Sequence, residues 1–276
     1  MKFKVIISSM AILVMALFFI ISCNKKQSSD SNPTNILLNI AHKADTVTTL
    51  PALANGDAVI WSHNGIYTKV TFEAATEISE PEDKAPSPEL TSSCSDAFAG
   101  TARKASKTSF ATPANFLRYS SINALRSVLP TDTYMRSLGI SNSATSTRVS
   151  QENYNDSVST SYLYAITRES DNDFHLIIGD SNPVAGNLFN CEASGNPATT
   201  ASSYAAISAV RTYLKSYFGK DFCGASGYTL FSPAIRVKML KGSLFFDIDH
   251  TAGTVGPSGF RPSTSWELHP LKAIGF

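Results

Sequence analysis

Three short stretches bring carboxylates and histidines together at strand-like spacing. They read Glu169-Ser-Asp171-Asn-Asp173-Phe-His175, Phe245-Phe246-Asp247-Ile248-Asp249-His250 and Trp266-Glu267-Leu268-His269-Pro270. Alternate side chains of a strand share a face. Asp173 therefore travels with His175 and Glu267 with His269, while Phe174, Leu176, Ile178, Trp266 and Leu268 face a core. Two such pairs on adjacent strands, with Asp247 or His250 beside them, could bind a divalent metal or act as acid and base. The metal ligands on this reading are Asp173, His175, Glu267 and His269; the catalytic set adds Asp247 and His250. The competing reading is structural: a carboxylate bonded to histidine simply orients a buried ring. His42 and His63 lack carboxylate company and read as structural.

Other templates are incomplete. Glu169, Asp171 and Asp173 have the every-second-residue spacing that opens a calcium loop, but Phe174 stands where that loop needs Gly and Asp180 where it needs Glu. No G-x-S-x-G elbow, phosphate loop or H-E-x-x-H occurs. Gly253 to Gly259 follows a loop and precedes no helix, so it reads as a mobile loop beside Asp247 and His250 rather than a dinucleotide cradle. Tyr154, Tyr162 and Tyr164 could stack a base or sugar, or simply fill a β-rich core.

The elements that must position these groups are mostly strands. Asp57–Trp61 and Ile66–Phe72 alternate around Asn64-Gly65, a hairpin signal. Glu80 to Pro113 loses periodicity and reads as a linker. Phe116, Ile122, Leu125, Val128 and Leu129 give helical spacing over Ala114 to Leu138. Val158–Thr167 and Phe174–Ile178 form a strand pair around the turn 169–173. Ser202–Phe218 is the clearest helix, stopped by Gly219. Ala234–Ile248 is a long strand bent at Gly242, and Ser265–Phe276 is a last strand interrupted by Pro270. Strands, one central helix, then strands predict a β-rich α+β fold. A small, partly closed barrel of the oligonucleotide/oligosaccharide-binding (OB) type fits that order, as does an open sheet with one helix packed across it.

Arg148 with Glu152, the E-x-D-x-D-x-H run at 169–175, the G-x-L-F-F-D-x-x-H run at 242–250 and the terminal E-L-H-P at 267–270 resemble an ordered set of motifs in a group of uncharacterised bacterial proteins. The resemblance covers about Thr147 to Phe276 and implies a shared domain, with no particular reaction. That group carries a glutamate-proline pair after its second strand, where this chain reads Asn190-Cys191-Glu192-Ala193, which puts the role of Glu192 in question. A looser likeness is to the thermonuclease fold, an OB barrel that uses calcium and arginines on phosphodiesters. Arg168, Arg236 and Arg261 are available, in a spacing that matches no signature.

The N-terminus addresses compartment. Lys2 and Lys4 precede an apolar run, Val5 to Ile21, followed at once by Ser22-Cys23. This resembles the lipobox of bacterial lipoproteins, which implies cleavage of the signal peptide 1–22, diacylglycerol on the Cys23 thiol and acylation (palmitate) of the new amino group. An uncleaved membrane anchor is the alternative, since about 17 apolar residues is at the lower limit for a span. Residues 23–45 then form a lipidated tether, 46–113 a hairpin region with linker, and 114–276 a helix plus the OB-like β domain. Export to an oxidising compartment makes a disulfide plausible. Cys191 and Cys223 bracket the helix and are the favoured pair, with Cys94 over.

Of the 276 residues, 43% are hydrophobic and 16% charged, with a net charge of +1. That apolar content excludes a wholly disordered chain, and the near-neutral charge implies no nucleic-acid partner. The function expected is a lipid-anchored cell-envelope protein, periplasmic or surface-exposed. It would act as a binding or structural module, its small-molecule or protein partner unidentified, and its alternative is a metal-assisted hydrolase, phosphodiesterase- or nuclease-like.

Overall fold

The computed structural model describes residues 46–74, 95–181 and 187–276. The signal peptide, Cys23, the tether, His42, Cys94 and residues 80–94 of the proposed linker lie outside the described residues; its remainder, 95–113, is not a linker but packs into the fold, with Phe98, Arg103 and Lys107 buried. No helix among the described residues is long and apolar enough to cross a membrane.

The strands join one sheet: β1 (Thr46–Val47), β2 (Ala58–His63), β3 (Ile66–Ala74), β4 (Phe116–Tyr119), β5 (Asn155–Val158), β6 (Ser161–Arg168), β7 (Phe174–Gly179), β8 (Leu188–Ala193), β9 (Gly227–Val237), β10 (Met239–Phe246) and β11 (Trp266–Gly275). Their order is β1-β2-β3-β9-β6-β7-β8-β11-β10-β5-β4. The β-rich α+β expectation holds. Among the described residues the strands form a single sheet with ends at β1 and β4 and no closed barrel, as in the alternative of an open sheet with one helix packed across it. The hairpin region is continuous with the C-terminal strands, because β3 pairs antiparallel with β9 from Lys69–Ser232 to Ala74–Gly227.

Local sequence explains much of this. Asn64 and Gly65 turn the β2–β3 hairpin at φ 49° and 77°, the left-handed pair that a two-residue turn demands. Helix α4 (Tyr204–Phe218) buries Ile207, Val210, Leu214, Tyr217 and Phe218 and ends at Gly219, φ 63°. Its apolar stripe packs on the sheet face formed by Phe174, Leu176, Ile178, Phe189, Cys191 and Leu268. The helix expected over 114–138 is instead β4 and two short helices, α2 (Ile122–Arg126) and α3 (Asp132–Ser137). Parallel pairing of β4 with β5 overrides helical spacing there. Ser121 and Thr131 then cap the next two starts by accepting from Ala124 N and Tyr134 N. Asp180, out of place for a calcium loop, accepts from Ile122 N and Asn123 N at 2.5 and 2.8 Å.

The long strand expected over 234–248 is two, β9 ending at Val237 and β10 beginning at Met239 elsewhere in the sheet, and the irregularity at Gly242 falls within β10. The β10–β11 register shifts on both sides of Gly242, and a Cβ there would lie 3.0 Å from Pro270 O and 3.1 Å from Leu268 Cβ. Helix α1 (Lys104–Lys107) and the segment 247–265 lie beside the sheet face opposite α4.

Candidate functional site: a buried carboxylate–histidine layer

The face opposite α4 is where the sequence motifs meet. His175 on β7 pairs with Glu192 on β8, and Asn190 on β8 pairs with both Ile177 on β7 and Glu267 on β11. Alternation puts His175, Asn190, Glu192, Glu267 and His269 on one surface, and the rest of the chain closes over it. Asp173 and His269 are 0% exposed, Glu192 1% and Glu267 2%.

Glu192 is the centre of this layer. Its Oε1 lies 3.0 Å from His175 Nε2 and its Oε2 lies 2.7 Å from His269 Nδ1. His269 Nε2 is 3.1 Å from Asp173 Oδ2, and its Nδ1 is 3.5 Å from Glu267 Oε2. Asn190 Nδ2 donates to Glu192 Oε1 at 2.7 Å and to Glu267 Oε1 at 2.9 Å. Gly195 N donates to Asp173 Oδ1 at 2.5 Å. Asp247 touches His250 Nδ1 at the partly open edge of the layer, where the His250 side chain is 11% exposed.

The structure brings Asp173, His175, Glu267 and His269 together, but not on adjacent strands as expected: β8 runs between β7 and β11 and supplies Glu192 as their link, and Asp173 contacts His269 rather than His175. The glutamate that the missing proline put in question is in place; only the proline is lacking. His250 joins Asp247 and Glu267 in a second group. The acidic turn does not act as a calcium loop: Glu169 faces His175 at 3.3 Å, Asp171 faces Lys107 at 3.8 Å, and Asp173 faces His269. Gly256, in the loop read as mobile, is seated where a Cβ would meet Phe260 O at 2.6 Å and Ile177 at 3.3 Å. Tyr164 packs in the small apolar cluster with Ile177 and Tyr228, so it is a core tyrosine. His63 stacks on Trp61 at 5.5 Å, a structural histidine.

The pairing of Cys191 with Cys223 is wrong. Cys191 is a free, fully buried thiol on the α4 face of β8, whereas Cys223 is disulfide-bonded to a cysteine outside the described residues. Burial in that apolar face, with Glu267 and Glu192 nearby, pushes the Cys191 thiol well above its usual value.

Electrostatics in the layer are set by mutual compensation. Burial opposes charge on His175, but Glu169 and Glu192 outweigh it and lift the imidazole to about 10. Burial likewise opposes charge on His269, and Glu192 and Asp173 raise it well above the ordinary range. Burial raises Glu192, but the two imidazoles overcome this and hold it well below. Burial and the neighbouring Glu192 push Glu267 up to about 7, and burial with Asp173 pushes Asp171 up to about 6. Lys107 stays charged because Asp171, Asp247 and Glu192 offset its burial.

Several close contacts are nevertheless not hydrogen bonds. Asp173 Oδ2, Glu192 Oε2, Glu267 Oε2 and both nitrogens of His269 are buried without an aligned partner, although they sit 2.7 to 3.5 Å from one another. The separations are short and the angles poor, so these lone pairs converge without satisfying each other. Ligand atoms from Asp173, Glu192 and His269 all lie within 4.8 Å of one another, as do those from Asp247, His250 and Glu267. Imidazole nitrogen with carboxylate oxygen suits a transition-series or zinc ion better than an all-oxygen calcium cage.

Two arginines, the buried Arg103 and the half-buried Arg148, hold the layer in register. Arg103 grips Glu152 at 2.6 and 2.7 Å and donates to Phe246 O at 3.0 Å, while Glu152 Oε1 accepts from Phe246 N at 2.8 Å. Arg148 donates to the carbonyls of Ser106, Ser109 and His269 at 2.6 to 2.9 Å, and to that of Leu244. The chain segment carrying Lys107 is thereby fastened to β10 and to the histidine of β11. Sequence reasoning missed Arg103, Lys107 and Asn190. It also missed Asp156 on β5, which is fully buried with neither carboxylate oxygen hydrogen-bonded, and which burial pushes up to about 7. A surface cavity lined by Arg126, Leu129, Asp132 and Trp266 contains no member of the layer.

Comparison with protein-family models, with curated proteins and with solved structures finds no significant match, so the functional reading rests on these residues alone.

Proposed function

We propose that this chain is a lipid-anchored protein of the bacterial cell envelope whose folded body binds a divalent cation in the buried carboxylate–histidine layer. The observation that carries the binding role is the set of five buried donor atoms on Asp173, Glu192, Glu267 and His269 that converge without aligned hydrogen bonds. A fold that only needed oriented histidines would turn those donors onto each other, because an unpaired buried polar atom costs about 1–3 kcal/mol. The membrane is the partner supplied by the acylated Cys23, on the strength of the lipobox.

The binding role is tested by thermal unfolding of the chelator-treated chain with added Mn²⁺, Zn²⁺, Ca²⁺ or Mg²⁺. A ligand at 100 times its Kd stabilises the native state by about 2.7 kcal/mol. A rise with Mn²⁺ or Zn²⁺ that disappears in His269→Ala supports the proposal; no rise with any of the four overturns it. The anchor is tested separately by labelled palmitate, which should enter the parent chain and not Cys23→Ser.

A second reading has its own observation. Glu267, held near 7 beside an Asp247 carboxyl that burial would raise but His250 pulls well below its usual range, separates an acid from a base within one group. A metal-assisted hydrolase would use Asp173, His175, Asp247, His250, Glu267 and His269, and the segments over the layer would have to open for its substrate. Manganese-dependent cleavage of a simple phosphodiester, lost in Glu267→Gln, would favour it.

A further inference from the structure

Beside the proposed cation at Asp173, Glu192 and His269 stands a second set, Asp247, His250 and Glu267, in which Asp247 Oδ2 contacts His250 Nδ1 and Asp247 Oδ1 accepts from Asp249 N at 2.8 Å. We infer that this outer group takes a second divalent cation, with the Glu267 carboxylate shared between the two ions; the inference rests on the cation-binding reading above.

Three observations carry it. First, the outer group is compact, with ligand atoms of all three residues within 4.8 Å of one another. Second, Glu267 belongs to both groups. Its Oε2 sits 3.5 Å from His269 Nδ1 with no aligned hydrogen bond, while Asn190 holds its Oε1 at 2.9 Å. A carboxylate fixed by one oxygen and open at the other, between two ligand sets, is placed as a bridge. Paired metal sites have ions about 3.5–4 Å apart joined by such a group. Third, the charge is lopsided. Asp171, Asp173, Glu192, Asp247 and Glu267 are all at most 4% exposed, and among the described residues the ammonium facing them is that of Lys107. Arg148 directs its terminal nitrogens to backbone carbonyls, and Arg103 is taken by Glu152. Imidazoles that ligate metal are neutral, and these five carboxylates outnumber the positive charges of Lys107, His175 and one divalent ion together, so a first ion leaves negative charge uncompensated. The partly exposed His250 side chain also gives the outer site an edge on solvent, the entry path that a buried site needs.

The experiment is a Mn²⁺ titration of the chelator-treated full chain, read by native mass spectrometry and electron paramagnetic resonance. Two ions per chain with a spectrum broadened by exchange between them are expected. In His250→Ala one ion should be lost and the six-line spectrum of an isolated Mn²⁺ should return. In Glu267→Gln the coupling should vanish and affinity for the second ion fall at least tenfold, the usual scale for disturbing a ligand shell. The parent spectrum needs no variant to fold, so it decides the matter if a variant does not. One ion per chain, or two without coupling, overturns this inference and leaves the single-cation reading standing. No ion at all overturns both.

Discussion

Replacing Asp156 by asparagine is expected to make the protein's stability less sensitive to alkali. The carboxyl of Asp156 is fully buried on β5, opposite Gly242 on β10 and Leu117 on β4, and neither oxygen has a hydrogen-bond partner. Burial raises it from 3.8 to about 7. For an acid the sign follows directly. The folded chain keeps a proton that the unfolded chain gives up, so stability falls as pH climbs from about 4 to about 7 and is flat above. Linkage with those two values costs the folded state on the order of 1–2 kcal/mol at pH 5 and on the order of 4 kcal/mol at pH 8. Asparagine does not titrate. Its own buried amide costs about 1–3 kcal/mol, the same at every pH. The stability of Asp156→Asn relative to the parent should therefore improve by on the order of 2–3 kcal/mol between pH 5 and pH 8. Groups that titrate in the carboxylate–histidine layer are common to both chains and cancel in the difference. The assay is urea unfolding at four pH values in a chelator, followed by the emission of the buried Trp61 and Trp266. A difference that stays flat from pH 5 to pH 8 would show that Asp156 is solvated or paired, and the reasoning fails.

Three further outcomes follow from packing. Arg103→Ala leaves Glu152, which is 0% exposed, as an unpaired buried charge; a loss of about 3–5 kcal/mol is expected in urea unfolding, and the double variant with Glu152→Ala should recover part of it. Gly195→Ala places a methyl 2.5 Å from Phe98 Cα, which is backbone and cannot swing aside; overpacking of about 1–3 kcal/mol should appear as a lower denaturation midpoint. Cys191, buried with its thiol pushed well up, should not react with a thiol reagent in the native chain and should react on unfolding; rapid native labelling would place it elsewhere.

The sequence discloses local features better than the way they are joined. The Asn64-Gly65 turn, α4 with its Gly219 stop, and the irregularity at Gly242 are all legible, because each depends on residues close in the chain. Phe116–Tyr119 misleads for the same reason: its strand character comes from β5, some forty positions later. Strand β8 does alternate, Phe189, Cys191 and Ala193 against Asn190 and Glu192, but both of its faces are buried, so a polar face that reads as solvated is a second interior. That masks Glu192, the residue on which the layer turns. The one available signal is chemical: a carboxylate on a buried strand needs a cationic partner, and His175 and His269 are its partners.

Two kinds of buried charge coexist in this protein, and the contrast between them separates a structural from a functional account. Arg103 and Glu152 form a closed unit in which both carboxylate oxygens accept hydrogen bonds, from the guanidinium and from Phe246 and Val149 nitrogens. Nothing further is needed to satisfy that carboxylate. The layer around Glu192 is equally buried but open-ended, with Asp173, Glu267 and His269 each presenting an unaligned donor or acceptor toward the others. Buried ion pairs seldom stabilise a fold more than apolar side chains of the same volume would, so a layer left incomplete is a cost that rigidity alone does not offset. The chain can complete a buried carboxylate, as Glu152 demonstrates. That it holds Asp173, Glu192, Glu267 and His269 within ligand distance and leaves them incomplete is the argument that a cation completes them.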